Sequence, residues 1–244
     1  MADSGKRGRW RRMLRYAIGG VLCLLAVINV LVGAPWPLAL GGAVTGGIIL
    51  IGHRRIFRAG VSRTGDEIVC RYIPWYEGNA YSALVLLPLM GVAMVALGLA
   101  PGNPRWLLYG GVILLAGVTP LSLWGIVRMW LRSLLCFSPS MLTVRLAERG
   151  SQLTEIRREL VASIEPKLVP LPSRADSLQV AIAYRPAEIG DGTTKTVLLG
   201  LRLTVPPVNL LNALIAWRDG ARDDPGELLD RIEGILRGRS TAGV

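Results

Sequence analysis

One histidine and three cysteines are all that this 244-residue chain holds of those residue types, and their scarcity removes several chemistries at once. Cys23, Cys70 and Cys136 have no other cysteine or histidine at metal-ligand spacing, so neither a zinc site nor a disulfide framework is expected. His53 stands beside Arg54 and Arg55 and reads as a polar residue flanking a membrane segment. A Ser-His-Asp triad would be confined to that one place. No G-x-S-x-G elbow, P-loop or G-x-G-x-x-G loop occurs. The stretch from Gly190 to Lys195 lacks the glycine spacing and following helix of a phosphate loop and reads as a hairpin turn. The expectation is a protein without catalytic residues, cofactor or metal.

Acidic residues are also scarce. Seventeen stand against 28 basic ones, for a formal charge of +11, while 51% of the chain is hydrophobic and the mean hydropathy is +0.43. A nucleic-acid-binding domain of this basicity would spread more charge across its elements, so nucleic acid is not expected as a partner. Here the apolar residues come in long blocks with charge confined between them, the pattern of a chain whose partner is a lipid bilayer.

Four such blocks are present: Leu14 to Ala34, Trp36 to Gly52, Tyr81 to Ala100 and Trp106 to Val127. Each has about the 20 residues that a helix needs to cross a hydrocarbon core. Pro35-Trp36-Pro37 and Pro101-Gly102-Asn103-Pro104 break helix between members of each pair, predicting two transmembrane hairpins. The first block is too long for the apolar part of a cleaved signal, and a second span follows at once, so it is read as retained. Cations crowd one side: Lys6, Arg7, Arg9, Arg11, Arg12 and Arg15 before the first span, then Arg54, Arg55, Arg58, Arg63 and Arg71 between the hairpins, then Arg128 and Arg132. Arg105 stands alone on the other. The crowded side is cytoplasmic by the positive-inside rule, which places both termini in the cytoplasm of a plasma (inner) membrane protein. The same cations are candidates for contact with anionic lipid.

Apart from Arg15 at the entry of the first block, no Asp, Glu, Lys, Arg or His lies within the spans, which argues against a standalone ion-coupled transporter. Gly42 and Gly46 form a small-xxx-small pair, and Gly110, Gly111 and Gly117 dot the fourth block. Such residues let helices approach closely, within one bundle or in a homo-oligomer or partner interface. Pro120 predicts a kink, with Thr119 or Ser122 placed to satisfy freed backbone groups.

Between the hairpins, Ile68, Cys70 and Tyr72 alternate with Val69, Arg71 and Ile73, as in a strand that Pro74 would stop. Trp75, Tyr76 and Tyr81 suit a membrane-interface belt. Asp66, Glu67 and Glu77 read as charged surface, since no histidine, nucleophile or metal motif accompanies them.

Beyond Arg132 the composition becomes that of a soluble domain, drawn from Cys136 to Gly238. Met141 to Leu146, the run around Leu178, Val180 and Ile182, and Thr194 to Val205 alternate as strands. Ser151 to Ile164 fits a helical face (Leu153, Ile156, Leu160, Ile164) as well as a strand. Pro206-Pro207 opens one helix, with Leu210, Leu211, Leu214 and Ile215 on one face. Asp224, Pro225 and Glu227 form the cap, first turn and capping-box partner of another, ended by Gly238. The predicted class is a membrane α-helical part carrying a small cytoplasmic α+β domain.

The segments Arg71 to Trp75, Ile156 to Glu165 and Asn209 to Asp219, with the strand pattern, terminal helix and hairpin spans, resemble actinobacterial multi-pass membrane proteins that carry a pleckstrin-homology-like domain. The resemblance implies a scaffold or adaptor that binds a protein partner or lipid headgroups, without a catalytic motif. A helix over Ser151 to Ile164 departs from it by leaving too few strands for a full barrel. The alternative is an accessory subunit of a membrane transport or envelope-biosynthesis complex. A lipid-modifying enzyme would need a polar cleft lined by Asp66, Glu67 and Arg71.

Overall fold

The computed structural model describes residues 3–51, 56–145, 153–169, 177–185, 194–199 and 203–239. The side chains of residues 3–9, Arg11, Arg12 and Ser177 lie outside that description, as do His53, Arg54 and Arg55 altogether. The chain divides into two compact units, Met1–Arg55 with Glu77–Val127 and Ile56–Tyr76 with Arg128–Val244.

The first unit is helical. Helix α1 runs Asp3–Leu31, α2 Trp36–Ile51, α3 Gly78–Leu99 and α4 Trp106–Arg132. Three contain apolar stretches long enough to cross a membrane, Met13–Leu31, Gly78–Leu99 and Trp106–Arg132. Helix α2 has 16 residues, roughly 24 Å at 1.5 Å per residue, and falls short of that length. Its apolar sequence packs against α1 and α3, and α3 packs against α4. From Asp3 the backbone of the basic leader, drawn as residues 1–13, is helical and continuous with the first span.

Glycine decides how closely these helices cross. A Cβ on Gly46 would stand 2.9 Å from the Gly19 carbonyl oxygen and 2.7 Å from Cys23 Sγ, and one on Gly19 would stand 3.1 Å from the Gly46 carbonyl oxygen. Gly91 and Gly111 repeat this reciprocal approach between α3 and α4. Gly42 faces Ala26 and Gly110 faces the end of Met94, whereas nothing lies within 4 Å of a Cβ on Gly117. Both long helices of the second hairpin widen to π-helix, at Ser82–Leu86 and Ile113–Val118, each just before a proline, Pro88 or Pro120. Proline has no N–H to give, so the turn before it loses its regular bond. Thr119 Oγ1 donates to the Leu114 carbonyl at 2.8 Å, which also accepts the Thr119 backbone N–H, so this hydroxyl does not reach a carbonyl freed by Pro120.

The second unit is α+β. Strands β1 (Val61–Thr64), β2 (Glu67–Arg71), β3 (Leu134–Phe137), β4 (Met141–Arg145) and β5 (Thr154–Arg157) form one antiparallel sheet in that order. Strands β6 (Val161–Val169), β7 (Ser177–Tyr184) and β8 (Lys195–Leu199) form a second. Helices α5 (Pro207–Asp219) and α6 (Pro225–Leu236) follow. Helix α5 packs on β6 and β7, α6 on β1 and β2, and the two helices on each other. One apolar core joins them all, including Ile68, Phe137, Ile156, Ile182, Trp217 and Leu229.

Several expectations change. The soluble domain does not begin at Cys136. Leu134 to Phe137 pair with Arg71 to Ile68, so the inter-hairpin connector supplies β1 and β2 to the same sheet. The stretch from Thr154 is strand, not helix, because Ile156 pairs with Leu142 in the core while Leu153 points out. Pro166 sits in β6, an edge strand, the place in a sheet where proline is tolerated. The strand expected from Thr194 to Val205 is present over Lys195–Leu199; residues 200–202, Leu201 among them, lie outside the described residues, and Leu203 to Val205 are buried bends. Asp224 caps α6 as expected, accepting from the N–H of Gly226 at 3.0 Å and of Glu227 at 3.3 Å.

Candidate functional site

A cleft of about 650 Å³ opens on the second unit where three connections converge. The β3–β4 turn contributes Pro139, Ser140 and Met141, the turn after β5 contributes Arg157, Arg158 and Glu159, and the α5–α6 corner contributes Arg218, Asp223 and Leu228. Local sequence makes these connections stiff. Ser138 N–H closes on the Met141 carbonyl at 2.9 Å, and Arg158 N–H donates to the Ser140 carbonyl at 3.0 Å. Trp217, fully buried, donates its indole N–H to the Ser138 carbonyl at 2.8 Å, so α5 clamps the same turn.

Arg158 is the most constrained polar group of the cleft. Its guanidinium lies 5.3 Å from the Trp217 ring centroid and donates to the Pro139 carbonyl. Its Nε is shut from water and meets no acceptor. Burial lowers its pKa, and the charge of Asp223 acts in the opposite direction. The other charges have local partners: Arg157 with Glu159 at 3.9 Å, Arg218 with Asp219 at 2.9 Å, and Asp223 with Arg231 at 2.9 Å. Such exposed pairs open at little cost, whereas a guanidinium held between an indole and a carbonyl keeps its geometry.

The residues singled out from sequence are distributed elsewhere. Glu67 and Arg71 stand at opposite ends of β2, and Asp66 sits in the β1–β2 turn. Glu67 accepts from Cys136 Sγ at 3.1 Å and Ser138 Oγ at 3.4 Å, and Glu77 belongs to the other unit. These carboxylates are not brought together. Arg58 lies 5.3 Å from the Tyr76 ring centroid, and Trp75 meets Trp130 edge to face at 5.6 Å. Arg15 lies 5.4 Å from the Tyr16 ring centroid. Lys6, Arg7, Arg9, Arg11, Arg12, Arg54 and Arg55 carry side chains outside the described residues. Among the described residues no group of three or more His, Cys, Asp and Glu is placed to hold a metal ion.

Sequence reasoning missed Arg158 because it lay within an ambiguous helix-or-strand segment. Arg157-Arg158-Glu159 is an ordinary charged triplet until Trp217, far along the chain, is packed beneath it. Thr204 was missed for a similar reason: fully buried, it accepts from Ile73 N–H at 2.8 Å and fastens the end of the connector to the lead into α5. No family model, curated protein or solved structure matches the chain.

Proposed function

We propose that this chain is a non-enzymatic membrane adaptor whose second unit binds a protein partner in the cleft around Arg158. The observation that carries the reading is a preformed concavity of ligand-binding size, lined by apolar side chains and by charged ones of both signs. The membrane part is read as four spans in two hairpins of the plasma membrane, with both termini cytoplasmic. The arginine asymmetry supports that orientation, and the packing of α2 between α1 and α3 supports its being a short span that the bilayer thins to meet. The second unit is read as a pleckstrin-homology-like barrel: two antiparallel meanders share one core, and with β5 and β6 in place of a helix the strand number no longer falls short.

The test is a photo-crosslinking residue placed at Ser140, on the cleft rim, and at Lys167, exposed on β6, in native membranes. The reading expects a discrete protein adduct from the first position and none from the second. Equal or absent adducts at both would end it. The alternative, an accessory subunit that docks through its spans, draws support from the open space beside Gly117, and expects adducts there rather than at Ser140.

A further inference from the structure

We propose that the Arg158 cleft recognises a single carboxylate presented beside an apolar side chain, so that the partner offers a short segment with one aspartate, glutamate or chain-terminal carboxylate among apolar residues. This rests on the adaptor reading above and names the chemistry that the site selects.

Charge fixes the class of ligand. Three arginines and two carboxylates line the cleft, and every one of them except Arg158 has an opposite charge within ion-pair distance. Among the described residues no carboxylate comes that close to Arg158. Arg158 is therefore left without an ion-pair partner of its own, Asp223 acting on it only from beyond that distance, and a carboxylate supplies one negative charge in the planar form that a guanidinium pairs with. A phosphate dianion would bring one more negative charge than the single unpaired arginine offsets, since Arg157 and Arg218 already have carboxylate partners. The start of α6 is not the anion site, since Asp224 already occupies its free N–H groups.

Packing fixes the neighbouring group. Pro139, Met141, Pro225 and Leu228 supply apolar wall to a cavity much larger than one carboxylate needs. Part of the usual cost of burying an ion pair is already met on this side. Arg158 is partly desolvated in the free protein and held by Trp217 and Pro139, so a ligand need not strip or order it anew.

The experiment uses the full chain in phosphatidylcholine nanodiscs and fluorescence anisotropy of labelled tetrapeptides. One blocked peptide carries aspartate among leucines, a second carries asparagine there, a third phosphoserine, and a fourth is all apolar with a free C-terminal carboxylate. The first is expected to bind saturably, with the asparagine and phosphoserine peptides at least about tenfold weaker. The fourth peptide distinguishes a chain end from a side chain as the source of the carboxylate. Arg158→Lys keeps the charge but loses the planar fork, and Ser140→Trp fills the mouth without touching the core. Each is expected to weaken binding by about tenfold, Ser140→Trp at an unchanged melting temperature and Arg158→Lys with a small fall in it, since lysine also gives up the contacts with Trp217 and the Pro139 carbonyl. Equal affinity for aspartate and asparagine, tighter binding of phosphoserine, or full binding by Ser140→Trp would each overturn the proposal. If no carboxylate peptide binds while the Ser140 crosslink still captures a protein, the carboxylate chemistry fails and the adaptor reading stands. Loss of both removes both.

Discussion

Arg63, in the strand after the first hairpin, donates to Asp230 in the last helix, 167 residues further along the chain. Glu233, one turn on, lies 3.8 Å from the same guanidinium. The Asp230 pair is exposed and contributes little alone, but both contacts mark where β1 meets α6.

The second unit should therefore fail to fold without the connector. A fragment of residues 134–239 loses Ile68 and Cys70, both fully buried, and Tyr72, nearly so. Each such side chain contributes roughly 1.5–3 kcal/mol, against a net stability of about 5–15 kcal/mol for a domain. The fragment also exposes β3 as a bare edge. Amide proton NMR should show collapsed resonances for 134–239 and dispersed ones when residues 56–76 are joined to 128–239 through a glycine-serine linker. Dispersed resonances from the shorter fragment would refute the two-segment domain.

Gly60 is predicted to tolerate no side chain. A Cβ there would sit 2.4 Å from the Arg71 carbonyl oxygen and 3.2 Å from Thr204 Cβ. Neither can retreat, because Gly60 donates to the Thr204 carbonyl at 2.7 Å and accepts from Arg71 N–H at 2.9 Å. Gly60→Ala should cost about 1–3 kcal/mol. Gly234→Ala, in the middle of α6 with nothing within 4 Å, should instead stabilise by about 0.5–1 kcal/mol. Urea unfolding midpoints of the linked unit measure both signs.

In the membrane part, Gly46→Ile and Gly111→Ile should prise their hairpins open, since each Cβ would meet a backbone carbonyl within 3 Å. Gly117→Ile should be silent in the isolated protein, because no neighbour stands there. Melting temperatures in mild detergent compare the three, and a Gly111→Ile protein as stable as the native chain would contradict the packing.

Both thiols of the second unit should be inert near neutral pH. Burial pushes Cys136 up, its S–H bond to Glu67 adds to the effect, and the thiol reaches about 12. Burial likewise raises Cys70. Maleimide at pH 8 should leave Cys70 and Cys136 unlabelled until the protein is denatured. The unfolded chain releases these protons near pH 9 while the folded one keeps them. The stability contributed by the neutral thiols is therefore present below pH 9 and declines as pH rises toward 12. The unfolding midpoint should fall less steeply over that range in a Cys70→Val, Cys136→Ser variant; parallel curves would disprove the linkage.

Orientation is tested with reporters. One active only in the cytoplasm should work after Val244 and fail after Asn103, with the opposite result for one active only outside. An external Val244 would reverse the topology and remove the proposed cytoplasmic partner.

What the chain's sequence determined by itself is whatever depends on neighbours in sequence. Uncharged runs specify apolar helices, proline pairs specify where they stop, Asp224 specifies the start of the last helix, and period-two alternation specifies β2, β4 and β7. Each follows from a local rule about backbone geometry or the cost of exposing apolar surface. Tertiary structure alone decided the rest. That Ile68 pairs with Phe137 across a whole hairpin depends on which strand edge is free to be satisfied, a choice no local pattern encodes. Whether Thr154 to Val169 becomes helix or strand was decided by β4 and β7, each of which has an edge to fill and buries Ile156 or Ile164 against the common core. Arg158 acquires its character only when Trp217 and Pro139 close around it, because a guanidinium takes its affinity for an anion from what surrounds it in space.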